Sequence, residues 1–251
     1  MSTGQVIHLE SVDSTNEYLK RQGALLPDGT VVVADHQTAG KGRLGRSWQD
    51  APGQSLLASW LLKSLQGDAL LLLPLAAGMA VLDALDSLGA QGAALKWPND
   101  IVAQRDGRCC KLAGILCEHR AGQQSFSVCG IGVNLLQPQE VFDGRGLPDA
   151  GSVLGVLGAS LKREELLRAI GQSLQKRRAQ AAAEPQALLQ DVSARCITLG
   201  RTVKIKTEAG EYTAFAARLD RDGQLICQTE EGEEIKVRAG EVSVRGLNGY
   251  L

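Results

Sequence analysis

The residues best suited to chemistry lie in one loop. Residues 37–49 read QTAGKGRLGRSWQ, in which Gly40, Gly42 and Gly45 spell G-x-G-x-x-G and Lys41, Arg43 and Arg46 stand among them. A dinucleotide-binding turn needs its last glycine to open a helix, so that a pyrophosphate rests on the helix N-terminus. Here RSWQDAPGQ follows, with Pro52 and Gly53, and then strand-like sequence. The acid expected about twenty residues further on would close a strand, whereas Asp68 opens a helical pattern. The sequence also lacks G-x-x-x-x-G-K-[ST]. What the composition allows is a loop that folds closely over an anion, its glycines permitting the approach and its cations donating charge-assisted hydrogen bonds. Taken alone, the stretch reads equally well as a solvent-exposed basic loop.

Other clusters narrow the choice. Lys96-Trp97-Pro98-Asn99-Asp100 joins a cation, an aromatic face, a rigid turn and a carboxylate; its plain alternative is a structural Pro-Asn-Asp turn. Lys111 precedes the glycine-containing run Leu112–Leu116, and alone would be a surface lysine at a hairpin end. Gly130-Ile131-Gly132-Val133-Asn134 lets two backbones approach and ends in an amide, or is simply a strand bulge. Each is weak evidence by itself.

In combination and order they are specific. D-S-T-N, Q-T-A-G-x-G-R-x-G-R-x-W, K-W-P-N-D, K-L-A-G-I-L-x-E and G-x-G-x-N, running from about Ser11 to Asn134, resemble the catalytic core of a biotin–protein ligase. The C-terminal stretch resembles that family's small terminal domain. The resemblance implies an α+β fold: a mixed β-sheet with packed helices, of the class II aminoacyl-tRNA synthetase-like biotin/lipoyl ligase type, plus an SH3-like β-barrel. It implies ATP and biotin as substrates, Mg2+ with no ligands assigned, a biotinyl-5'-AMP intermediate, and a lysine of a biotin carboxyl carrier protein as acceptor. Ser14, Thr15 and Gln37 would hold the ureido ring of biotin, with backbone from Gly114, Ile115 and Leu116 completing the pocket. Arg43 and Lys111 would grip the carboxylate and the forming phosphate oxygens. Lys41 stands where some relatives carry arginine, keeping the charge but losing the planar fork. Arg46, Trp48, Asn99 and Asn134 would face the nucleotide, Trp48 by stacking on adenine or merely by being buried. Asp100 would orient the incoming lysine or support the metal.

Many relatives carry an N-terminal helix-turn-helix. Here D-S-T-N begins at Asp13, so the expectation is a ligase without DNA-binding repressor activity of its own. A lipoate or octanoyl transferase is the nearest rival; K-W-P-N-D and the doubly arginine-marked loop favour biotin. A non-catalytic anion or nucleic-acid module is the more distant one.

These residues need elements to position them. VIHLESV reads as a strand, and Ser14 or Thr15 caps the helix that follows, with Glu17 in its first turn. Thr30–Gln37 and Ser55–Lys63 read as strands on either side of the glycine loop, and Asp68–Leu88 as an apolar helix ended near Gly89. A strand enters the Pro98-Asn99-Asp100 turn, and a hairpin follows with its own turn at Asp106-Gly107. Ser125–Leu136 reads as a strand broken by Gly130 and Gly132. Gln137–Ser152, dense in glycine and proline, reads as a long surface loop. Leu161–Glu184 is a helix whose Lys176–Arg178 run lies on a solvated face. From about Ile197, short alternating strands with turn pairs at Ala209-Gly210, Asp222-Gly223 and Glu231-Gly232 predict the barrel. The boundary is set at 195/196, giving a catalytic domain over 1–195 and the barrel over 196–251.

Bulk properties are ordinary for a soluble globular protein: 251 residues, 44% hydrophobic, 22% charged, net charge −1. Near-neutral charge argues against a dedicated nucleic-acid binder. Met1–Glu10 lacks the apolar core of a signal peptide, and Ala69–Leu82 is too short to span a bilayer, so the expectation is a cytoplasmic protein away from the membrane, monomeric or homodimeric. The six cysteines have no disulfide or zinc spacing and read as reduced side chains. His8, His36 and His119 lie in unrelated contexts and read as surface or strand residues.

Overall fold

The computed structural model describes residues 4–63, 65, 67–122, 124–207, 210–239, 243–246 and 250. In chain order the first part runs β1 (Val6–Val12), α1 (Thr15–Gln22), β2 (Val31–Gln37), β3 (Ser55–Leu62), α2 (Asp68–Ser87), β4 (Ala94–Lys96), β5 (Asp100–Arg105), β6 (Arg108–Arg120) and β7 (Phe126–Asn134). These strands form a mixed sheet, ordered β1-β2-β3-β7-β6-β5-β4, in which β1 and β2 run parallel and the other neighbours antiparallel. The β5–β6 hairpin turns where expected, with positive φ at both Asp106 (52°) and Gly107 (73°), as a tight hairpin turn requires.

Period-two alternation gives this sheet two different faces. Val31 and Val33 of β2, with Leu56, Ala58, Trp60 and Leu62 of β3, point into the main core beneath α2. Val32 and Leu61 point the other way and meet Leu19 of α1. β3 is buried along its whole length because both faces are covered. The apolar helix α2 matches the Asp68–Leu88 helix read from the sequence to within a residue and extends beyond the apolar run Ala69–Leu82. Its Ala69–Ser87 portion is long and apolar enough to cross a membrane, but it lies within the protein, 72% buried.

The chain continues through α3 (Gln139–Asp143), α4 (Val153–Leu157), α5 (Arg163–Ala183) and α6 (Pro185–Arg195). None of α3, α4 and α6 was expected. α6 starts with Pro185 in its first turn, where the missing N–H costs nothing. The Lys176–Arg178 run is not simply solvated. Arg177 bonds both oxygens of Asp83 at 2.7 and 2.9 Å and reaches Asp191 at 2.5 Å, tying α5 to α2 and α6.

The C-terminal sheet is antiparallel and SH3-like, built from β8 (Arg201–Thr207), β9 (Gly210–Leu219), β10 (Leu225–Gln228), β11 (Glu234–Val237) and β12 (Ser243–Gly246), in the order β11-β10-β9-β8-β12. The turns at Asp222-Gly223 and Glu231-Gly232 lie where expected; Ala209, of the third, lies outside the described residues. Val203, Ile205, Ala216 and Leu225 join the same core as α2. Trp97 pins the seam between the two sheets: its backbone N–H donates to Thr198 Oγ1 and its Nε1–H to the Gly223 carbonyl, both at 3.0 Å. All six cysteines are free thiols.

Candidate active site

On the α1 side of the large sheet lies a cavity of about 360 Å³. Strand β7 supplies its floor. Its even positions read Phe126 and Val128, which pack with Leu19 of α1, then Gly130, Gly132 and Asn134, which line the cavity. The strand is continuous and not broken at its glycines. They are required by what stands over them: a Cβ on Gly130 would lie 2.1 Å from Asn16 Oδ1, and one on Gly132 would lie 2.7 Å from Trp48 Cε2. Gly114 of β6 pairs with Gly132 and is similarly crowded, 3.0 Å from Trp48 Cζ3.

A register shift places the lysine. Along β6, Gly114 and Leu116 face the cavity, while the side chains of Ala113 and Ile115 pack in the core and Ile115 borders the cavity by its backbone. Strict alternation would turn Lys111 into the core. The β5–β6 register slips between Ile101 and Val102, pairing Ala113 with Ile101 and Lys111 with Val102. Leu112 therefore joins Ala113 in the core and Lys111 emerges on the cavity side. Bulges of this kind re-aim side chains beside functional sites.

One end of the cavity carries neutral polar groups. Ser14 is the N-cap of α1 and accepts from Glu17 N–H at 3.5 Å. Thr15 donates to Gln37 Oε1 from both its backbone N–H (2.8 Å) and its hydroxyl (3.1 Å). Beneath them Ser59 donates toward Asn16 Oδ1 at 2.6 Å, and Asn16 Nδ2 bonds the Leu116 carbonyl and Glu118.

The glycine loop closes on itself. Gly42 N–H donates to the Arg46 carbonyl (2.7 Å) and Trp48 N–H to that of Gly40 (2.9 Å). Residues 43–45 make a single 3-10 turn, with Leu44 and Gly45 at φ 55° and 71°. No helix opens there, so the phosphate-turn geometry of a dinucleotide fold is absent from this loop. Lys41 is tied to Glu17 at 2.7 Å; Glu17 pairs with Lys20, and Lys20 with Glu118. Hydrogen bonds from Lys20 and Lys41 hold the Glu17 carboxyl below its ordinary pKa.

Trp48 lies over the glycine floor and is the least buried of the three tryptophans; its Nε1–H has no hydrogen-bond partner among the described residues. Gly132→Ala is expected to push this indole off the sheet while the fold is retained. The check is tryptophan emission, which should shift to the red, because Trp60 and Trp97 stay buried.

The opposite end is charged. Asn99 Nδ2 donates to the Ile115 carbonyl at 2.6 Å, and its Oδ1 accepts from Arg43 at 2.9 Å. Burial lowers the Arg43 pKa and the Asp100 charge raises it; a guanidinium stays charged under such shifts. Lys111 Nζ stands 2.6 Å from Asp100 Oδ1 and 5.6 Å from the Trp48 ring centre. Burial alone would raise the Asp100 pKa, but Lys111 and Lys96, with hydrogen bonds from Lys111 and Tyr250, bring it below its ordinary value. Lys96 is 3% exposed, and burial drives its pKa down to about 8.

Gln137–Ser152, expected as a surface loop, instead forms part of the wall. Phe142, Gly146 and Leu147 through Ala150 line the cavity. Lys111 N–H donates to the Asp149 carbonyl (2.7 Å) and Gly151 N–H to that of Lys111 (3.0 Å), so the segment is stitched to β6. Asn134 Nδ2 donates to the Gly151 carbonyl, and its Oδ1 has no hydrogen-bond partner among the described residues.

Ser14, Thr15, Gln37, Lys41, Arg43, Arg46, Trp48, Asn99, Asp100, Lys111, Gly114, Ile115, Leu116 and Asn134 thus all line one cavity. Sequence reading missed Asn16, Ser59, Lys96 and the barrel's contribution of Val244, Arg245 and Tyr250. Asn16 and Lys96 sat inside quoted motifs; the other four carried no local signal.

Comparison with known proteins agrees with this geometry. Residues 8–134 match the Biotin/lipoate A/B protein ligase family, and residues 198–245 the Biotin protein ligase C terminal domain. The chain is 38% identical to a biotin–[acetyl-CoA-carboxylase] ligase of Mycobacterium tuberculosis, over 86% of this chain and 79% of that protein. It is 32% identical to the like-named ligase of Paracoccus denitrificans, over 95% of this chain and 100% of the relative. A biotin protein ligase from Aquifex aeolicus, solved in complex with biotin and ATP, superposes with a TM-score of 0.80 at 30% identity, covering 96% of this chain and 99% of that one.

Proposed function

Since this chain belongs to the biotin/lipoate A/B protein ligase family and is a biotin protein ligase, we propose that it attaches biotin to one specific lysine of a biotin carboxyl carrier protein through biotinyl-5'-AMP. One observation carries the reading: a single cavity joins a neutral hydrogen-bonding end, Ser14, Thr15 and Gln37, to a cationic end, Arg43 and Lys111. A urea-like ring with one acceptor and two donors suits the first, and a carboxylate meeting a phosphate suits the second.

In the first step the biotin carboxylate attacks the α-phosphorus of ATP and pyrophosphate leaves. Two anions approach, and Arg43 and Lys111 stand where their repulsion must be offset. Lys41 adds charge at the loop, held by Glu17. Backbone of Gly114, Ile115 and Leu116 borders the ring; Arg46, Trp48, Asn99 and Asn134 border the nucleotide. In the second step the carrier lysine attacks the acyl carbon and AMP leaves, with Asp100 orienting the amine and the glycine loop keeping water from the anhydride. Mg2+ is read as part of the nucleotide substrate, because this ion retains waters and phosphate ligands in preference to an all-protein cage. Among the described residues no group of three or more His, Cys, Asp or Glu side chains could hold a metal ion, and no step here runs through one.

The reading extends to a catalytic domain over 1–195 with the barrel over 196–251, a cytoplasmic location, and a monomer or homodimer that binds neither DNA nor membrane. Specific operator binding in a gel shift would overturn the absence of repressor activity. The main test is to incubate the protein with biotin, Mg-ATP and a carrier domain and weigh the carrier by mass spectrometry. Lipoate or octanoate used in place of biotin separates the rival transferase reading. Arg43→Ala is expected to speed release of biotin and its adenylate about tenfold, the scale of one hydrogen bond to a charged group. Stopped-flow release with unchanged rates would contradict that role.

A further inference from the structure

The barrel reaches into the charged end of the cavity through one residue. Tyr250 lies four positions past β12, and its carbonyl accepts from the Gly246 N–H at 3.3 Å. Tyr250 is buried, and its ring centre lies 4.4 Å from Lys96 Nζ and 4.6 Å from the Arg245 guanidinium. Lys96 is itself anchored to the Val244 carbonyl at 2.9 Å. The Tyr250 hydroxyl donates to Asp100 Oδ2, while Lys111 takes Oδ1.

We propose that Tyr250 is a positioning residue for adenylate formation: its hydroxyl fixes the Asp100 carboxylate so that the opposite oxygen holds Lys111 toward the reacting anions. A carboxylate bonded through one oxygen can swing about its Cβ–Cγ bond, and a second donor stops that motion. Outer partners of this kind orient the groups that touch substrate. Two cations at 4.4 and 4.6 Å from the ring centre give the hydroxyl a fixed platform. Burial, with the neighbouring Asp100 charge, holds the phenol well above its ordinary pKa, so it remains the donor. The inference rests on the proposed function, since it concerns the same adenylating site.

Tyr250→Phe keeps the ring and removes only the hydroxyl. Biotin-dependent ATP–pyrophosphate exchange is measured for the full chain, for this variant, for Asp100→Asn and for the double variant, each with its melting temperature. The expected result is a fall in kcat of about tenfold, with the KM for biotin and the melting temperature unchanged. In the Asp100→Asn background the second change should add nothing, because the hydroxyl acts through that carboxylate. An unaltered kcat in Tyr250→Phe overturns the proposal. So does a loss that comes with a lower melting temperature, or one that multiplies independently with Asp100→Asn. If the parent protein shows no exchange at all, the functional reading fails and this inference falls with it.

Discussion

Lys111→Ala is expected to lower biotinyl-adenylate formation by about 10²–10³-fold, the effect of removing one preorganised donor from a developing anion. The side chain is half-buried, contacts Asp100 at 2.6 Å and stands beside Gly114 on the cavity floor. Its backbone, which holds Asp149 and Gly151, is untouched by the substitution, so the wall of the cavity should persist. The measurement is single-turnover adenylate formation, with circular dichroism to show that the variant is folded. A folded variant with near-normal turnover would remove Lys111 from the reaction.

The second large effect concerns the seam between the sheets. Trp97 is 0% exposed and bonded to Thr198 and Gly223. Trp97→Ala should destabilise the protein by about 3–5 kcal/mol, the usual range for emptying a large buried aromatic site. Because Asn99 and Asp100 follow directly in the same turn, adenylate formation should fall as well. Urea unfolding gives the first quantity and exchange kinetics the second. Trp97→Phe fills most of the cavity but orphans the Gly223 carbonyl, and should cost about 1–3 kcal/mol. Equal losses from both substitutions would mean that the hydrogen bond, and not the packing, secures the seam.

Motifs were legible because close approach and charge leave local traces. Ser14 or Thr15 announced the helix cap, Asp106-Gly107 the hairpin and the glycines of β7 a close approach to the backbone. That side chains make the approach was not legible, since Asn16 is 114 positions before Gly130 and Trp48 is 84 before Gly132. The glycines looked like breaks because strand propensity takes no account of a side chain arriving from elsewhere. The bulge that aims Lys111 was hidden for a related reason: it is a property of the pairing between β5 and β6, not of either strand. Gln137–Ser152 looked like a surface loop because its glycines and prolines were visible and its backbone bonds to Lys111 were not. Tyr250 had no motif around it, and only the packing of the barrel on the turn brings it to Asp100.

The glycine floor also bounds how this enzyme could be redesigned. At Gly114, Gly130 and Gly132 the cavity already rests on bare backbone. No substitution can deepen it there, and every substitution makes it shallower. Room for a bulkier acid must come from above, by trimming Trp48 or the Phe142–Ala150 wall. Selection for altered substrates would therefore be expected to accumulate changes in the roof and leave the three floor positions alone.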